Sequence, residues 1–148
     1  MGIRIGQLMS QYGYSLSSAE SCTGGTIASM VTAVAGSSAY FKGAVVSYAV
    51  EVKENVLGVD VSEGVVSEST ALQMAEGVAK VLDSDCAVAT TGIAGPGGAE
   101  PGKPVGTVCI AAHTPKGSVA RTFVFEGDRE DVILQAADAA LRLLETQF

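Results

Sequence analysis

The order in which strand-like and helix-like segments follow one another is what most constrains the fold of this chain. Residues 3–12 read as a short helix, with Ile3, Ile5, Leu8 and Met9 as its apolar set. Tyr14–Glu20 reads as a first strand, and Gly24–Val34 as a helix with Ile27, Met30, Val31 and Val34 at helical spacing. Gly43–Ala49 is a second strand, and Glu51–Leu57 a short helix closed by Gly58. Ser67 caps a longer helix to Leu82, whose stripe is Ala71, Ala75, Val78 and Leu82. Cys86–Thr90 is a third strand. Val105–Ala112 and Val119–Phe125 follow, joined by the hairpin turn "TPKG", and Asp128 opens a last helix to about Glu145.

Strands and helices alternate first, and then two strands come in succession. That pattern predicts one α/β domain over residues 1–148, a three-layer sandwich with a mixed, mostly parallel sheet and helices on both faces. Aromatic residues are only 5% of the chain and glycines number 18, which suits an Ala/Val/Ile/Leu core with tight turns. Ligands of such sheets gather at the carboxyl ends of parallel strands. Three conspicuous loops fall at such ends: Glu20–Gly25, Ala49–Lys53 and Thr91–Gly98.

The formal net charge is −7 and the nine Lys and Arg are scattered, so a nucleic acid is a poor partner. No apolar run approaches the ~20 residues that span a bilayer, so no membrane role is expected. Cys22, Cys86 and Cys109 lack CxxC spacing, and their odd number suggests reduced thiols and a cytoplasmic home.

Gly97, Gly102 and Lys103 match G-x-x-x-x-G-K, but Pro104 stands where magnesium needs Ser or Thr, and a strand follows instead of a helix. This is not a phosphate-binding P-loop. Thr90–Gly98 reads either as a backbone wall around a small polar ligand or as a long turn. In "AESCTGG", residues 19–25, Cys22 invites a thiolate reading, yet a cysteine hydrolase needs a histidine base. The single histidine, His113, sits at the "TPKG" turn, and nothing in the pattern joins it to Cys22. Ser21, Thr23 and the N–H groups of Gly24 and Gly25 are the more useful parts, because a helix start offers orphan donors to an anion or a polarised carbonyl.

Gly36–Lys53 holds Ser37 and Ser38, Tyr48 and Lys53. A desolvated Lys can act as a base, a Ser can be its nucleophile, and a Tyr can relay the proton. The same residues can equally be turn caps, a core aromatic and a solvated cation.

Taken together, "AESCTGG" (19–25), "AGSSAYF" (35–41), "SY" before Lys53, "VSE" (66–68), "TGIAGPGG" (91–98), "KPVGT" (103–107) and "GDR" (127–129) resemble the CinA C-terminal domain family, which includes nicotinamide-nucleotide amidases. The motifs occur in family order over nearly the whole chain. The resemblance implies a self-associating α/β domain, a homo-oligomer, that hydrolyses the carboxamide of nicotinamide mononucleotide without metal or other cofactor. It implies Ser38 as nucleophile with Lys53 and Tyr48 as activating partners. Substrate would be held by Ser21, Thr23, Gly24, Gly25, Thr91, Gly92, Gly95 and Arg129. One departure is Val50, where the family often carries Asn. The alternative expectation is a non-catalytic nucleotide-binding or assembly module of the same fold.

Overall fold

The computed structural model describes residues 1–148. In chain order its elements are α1 (Gly2–Tyr12), β1 (Leu16–Glu20), α2 (Thr26–Thr32), a 3-10 turn (Ser37–Ala39), β2 (Phe41–Val46), α3 (Val50–Asn55), α4 (Glu68–Val81), β3 (Cys86–Gly92), β4 (Thr107–Thr114), β5 (Gly117–Val124) and α5 (Arg129–Glu145). Every predicted helix and strand is present, with shifted ends.

The strands form one sheet in the order β2-β1-β3-β4-β5. β1 pairs in parallel with β2 and with β3; β3–β4 and β4–β5 are antiparallel. The sheet is therefore mixed as expected. Parallel pairing does not dominate it: the pairs divide evenly, although four of the five strands point the same way.

The period-2 alternation of the strands sorts side chains onto two faces. Leu16, Val88, Val108 and Ile110 pack on one face against Ile5 of α1, Ile27 of α2 and Leu141 of α5. Ala19, Ala89, Cys109 and Ala111 pack on the other against Met74 and Val78 of α4. The small residues on this second face let α4 lie close to the sheet. Fully burying one such aliphatic side chain contributes about 1.5–3 kcal/mol, and the two apolar layers hold the sheet between them. Cys86 and Cys109 are buried within these layers as small hydrophobes, and all three cysteines are free.

The shifted ends have local causes. α2 begins at Thr26, not Gly24, because Gly24 (φ 57°) and Gly25 (φ 105°) both adopt left-handed backbone. β2 ends at Val46, and Ser47 leaves the sheet before Ala49 caps α3. Gly106 (φ 95°) interrupts the chain, so β4 starts at Thr107. A Cβ at Gly106 would lie 2.1 Å from the Phe125 carbonyl oxygen, so only glycine fits.

Ser67 caps α4 as read, its side chain accepting from Thr70 N–H. Asp128 caps α5 in a reciprocal box: it accepts from Asp131 N–H at 2.9 Å, and the Asp131 carboxylate accepts from Asp128 N–H at 3.0 Å. This cap fixes the first turn of α5, and with it Arg129. Asp128→Ala is expected to cost about 1 kcal/mol, read as a lower urea midpoint at an unchanged denaturant slope.

Candidate active site

The carboxyl ends of β1, β2 and β3 lie side by side in the parallel half of the sheet. The three loops that leave them meet around a cavity of about 300 Å³. Ser21 and Cys22 come from the first loop, Tyr48 and Lys53 from the second, and residues from Thr91 to Gly98 from the third; Arg129 closes the rim from α5.

Lys53 is the decisive side chain. It is 1% exposed and the largest fully buried side chain in the protein. Its Nζ lies 3.0 Å from Ser21 Oγ, 2.7 Å from the Ser47 carbonyl oxygen and 3.5 Å from the Tyr48 carbonyl oxygen. Neither of the two ion pairs in the protein involves it. Burial without a carboxylate partner penalises the ammonium and lowers the Lys53 pKa below its ordinary 10.5, against a smaller upward pull from Cys22. Of the three acceptors, only the Ser21 hydroxyl can also donate. A neutral Lys53 therefore keeps two N–H bonds to carbonyls and turns its lone pair to Ser21.

The loop bearing Ser21 is held by a second buried charge. Glu20, 0% exposed, accepts five hydrogen bonds: from Ser18 Oγ, Thr23 Oγ1, and the N–H groups of Gly25, Ile27 and Ala28. The start of α2 is therefore filled by the protein's own carboxylate. The expectation that Thr23, Gly24 and Gly25 present donors to substrate does not survive. Gly25 N–H and Thr23 Oγ1 go to Glu20, and Gly24 N–H goes to the Ser21 carbonyl.

Cys22 is 6% exposed and lies in the cavity wall beside Ser21. Burial pushes its thiol up to about 11, outweighing a hydrogen bond to Thr90 and the nearby Lys53, while Glu20 adds to the rise. His113 is far from it along the fold: it pairs with Ala87 at the amino end of β3, and its Nδ1 lies 2.8 Å from Ser118 Oγ. Cys22 is a protonated packing residue at neutral pH, as the sequence suggested.

The structure does not bring Ser38 to Lys53. Ser38 is exposed in the 3-10 turn before β2, whereas Ser47, Tyr48 and Lys53 follow its far end. The six residues of β2 separate them by roughly 20 Å at about 3.3 Å per residue. The hydroxyl that Lys53 holds is Ser21. Tyr48 also differs from expectation: the residue is 61% exposed and its hydroxyl accepts from Arg129 Nη2 at 3.0 Å. Arg129 Nη1 donates to the Gly95 carbonyl at 2.7 Å, so the guanidinium ties the rim loops together. Thr91, Gly92 and Gly95 line the cavity as expected, Thr91 Oγ1 being bonded to the Val65 carbonyl. Val50 is exposed at the start of α3 and lines no part of the cavity.

Two features were missed in the sequence, the role of Glu20 and the Ser21–Lys53 pairing. A signal for the second was present. Ser21 follows its strand, Ser38 precedes its own, and parallel strands put those positions at opposite poles.

Fold and site define a three-layer α/β domain with a buried serine–lysine pair at the carboxyl edge of its sheet. The CinA C-terminal domain family model matches residues 2–148, and the chain belongs to that family. It is 42% identical over 98% of its length to Escherichia coli (strain K12) nicotinamide-nucleotide amidohydrolase PncC, covering 91% of that protein. A CinA-like protein of Syntrophobacter fumaroxidans is 44% identical over 95% of the chain. The chain spans only about a third of that longer relative, 34% of its length. The crystal structure of the competence/damage inducible protein CihA from Agrobacterium tumefaciens superposes with a TM-score of 0.93 at 38% identity, covering 98% of this chain and 92% of that one. No helix is long and apolar enough to cross a membrane.

With its thiol held near 11, Cys22 is expected to resist iodoacetamide at pH 7.5 in the folded protein and to react once it is unfolded. Mass spectrometry of timed alkylations checks this; fast labelling of folded protein at neutral pH contradicts it.

Proposed function

We propose that this protein hydrolyses the carboxamide of a nicotinamide nucleotide, nicotinamide mononucleotide, to the nicotinate nucleotide and ammonia, with Ser21 as nucleophile and Lys53 as its base. The observation that carries the reading is the buried Lys53 Nζ, 3.0 Å from Ser21 Oγ with no carboxylate to hold its proton. The likeness to PncC over nearly the whole length of both proteins supplies the substrate class.

Neutral Lys53 takes the Ser21 proton as Oγ attacks the carboxamide carbon. The tetrahedral oxyanion needs donors, and the Cys22 N–H, immediately after the nucleophile, is bonded to no main-chain carbonyl. The Lys53 ammonium returns its proton to the departing ammonia. Water then cleaves the nicotinoyl ester with Lys53 again as base. The main-chain N–H groups of Ala94, Gly95, Gly97 and Gly98 have no intramolecular acceptor and their residues line the cavity with Arg129; in this reading they hold the nucleotide's phosphate.

Ammonia release from nicotinamide mononucleotide by the purified protein tests the reading. Ser21→Ala is expected to lower kcat by about a thousandfold or more, whereas Ser38→Ala and Cys22→Ser keep most activity. Arg129→Met is expected to raise KM about tenfold, the loss of one charged hydrogen bond. If the protein binds the nucleotide but releases no ammonia, it is a binding module instead.

The pH dependence follows from the sign of the Lys53 shift. Below its pKa the amine is protonated and cannot act as base, so kcat/KM rises with pH and levels off above a midpoint below 10.5. A profile whose rise has its midpoint at or above pH 10.5 contradicts the assignment.

A further inference from the structure

We infer that Glu20 is a positioning residue for the Ser21 nucleophile: its buried carboxylate fixes the main chain on which Ser21 stands relative to Lys53. This rests on the reading of Ser21 and Lys53 given above.

The carboxylate is satisfied entirely by neutral donors. Oε1 accepts from Thr23 Oγ1 at 2.7 Å, Ile27 N–H at 2.9 Å and Gly25 N–H at 3.1 Å. Oε2 accepts from Ala28 N–H at 3.0 Å and Ser18 Oγ at 3.1 Å. No Lys or Arg pairs with it. Capping a short helix does not require this. A Ser or Asp at the N-cap position would do it at the surface, where that position is Gly25 and offers no side chain. Burying a carboxylate that lacks a counter-ion is expensive. What this arrangement gains is a direct tie from the last residue of β1 to the first turn of α2, across Ser21.

The same network grips Ser21 from the neighbouring strand. Thr23 Oγ1, bonded to Glu20, also lies 2.8 Å from Thr90 Oγ1 of β3. Ser21 N–H donates to the Thr90 carbonyl at 3.1 Å, and the Ser21 carbonyl accepts from Gly24 N–H at 3.1 Å. Both main-chain polar groups of Ser21 are therefore occupied, and only its side-chain torsion remains free to meet Lys53. Glutamine at position 20 is nearly isosteric, but its NH2 group would face donors that now point at a carboxylate oxygen. The turn would shift, and a misplacement of about 1 Å can cost ~100-fold in rate.

The test combines substrate kinetics with a fluorophosphonate, which reacts with an activated serine. The Ser Oγ–P bond forms, the P–F bond breaks, fluoride leaves, and the serine proton passes to Lys53. The rate and the final extent of labelling are measured, with the modified residue located by mass spectrometry. Glu20→Gln is expected to label to the same extent as the wild type but about 10–100 times more slowly. Its kcat for nicotinamide mononucleotide should fall by a similar factor, with KM within about twofold. An unchanged rate overturns the inference. So does a reduced extent at an unchanged rate, which shows that the carboxylate only keeps the protein folded. If Glu20→Gln does not fold, Thr23→Val decides: it cuts the Glu20–Thr23–Thr90 link and leaves the three backbone contacts. Several-fold slower labelling at full extent supports the inference, and wild-type labelling overturns it. Wild-type protein that labels Ser21 but releases no ammonia loses only its substrate assignment, and the labelling rates still decide the role of Glu20. Wild-type protein that labels elsewhere loses the Ser21 reading and this inference together.

Discussion

The site depends on one desolvated amine. Lys53 brings a charge-bearing group into the interior without an acid to balance it, and the surroundings supply three oxygens instead. Two are main-chain carbonyls left unpaired because the chain departs from β2 after Val46. The third is a hydroxyl. Such a shell tolerates the ammonium and also the neutral amine, and burial favours the neutral form. An amine poised between the two states is what a proton-transferring lysine requires. It is also costly to the fold, as functional groups commonly are.

The geometry around this amine is set by a second buried charge of opposite sign and a different kind of partner. Glu20 is satisfied by backbone and hydroxyl donors, not by a cation. Lys53 and Glu20 are thus two buried ionisable groups, separately solvated by the protein on either side of Ser21. The left-handed glycines 24 and 25 make this possible, because they reverse the chain tightly enough for α2 to return over the end of β1. The sequence "AESCTGG" encodes all of it: the carboxylate, the hydroxyl, the packed thiol and the reversal.

How legible this was in the sequence depended on whether a feature was periodic or relational. The succession of strand-like and helix-like segments and the helical stripe of α4 announced the three layers, because burial of one helix face leaves a repeating trace. The Ser67 and Asp128 caps were visible for the same local reason. The mispaired nucleophile was a relational error. Ser38 lies closer to Lys53 in sequence than Ser21 does, but β2 carries the chain across the whole sheet between them. Glu20 was overlooked for another reason: a carboxylate at the end of an apolar strand reads as a solvent-facing terminus until the glycine pair is seen to fold α2 onto it.

The central claim is that Lys53 is held with a depressed pKa beside Ser21, and its own titration tests this most directly. The 13C chemical shift of the Lys53 ε-carbon, assigned by its loss in Lys53→Met, can be followed from pH 6 to 12 in the folded protein. A desolvated Lys53 gives a midpoint below the ordinary 10.5, rising toward that value when Ser21 and its neighbours are exposed by unfolding. A folded-state midpoint at or above 10.5 would contradict it, because the amine would then be an ordinary ammonium and could not serve as the base.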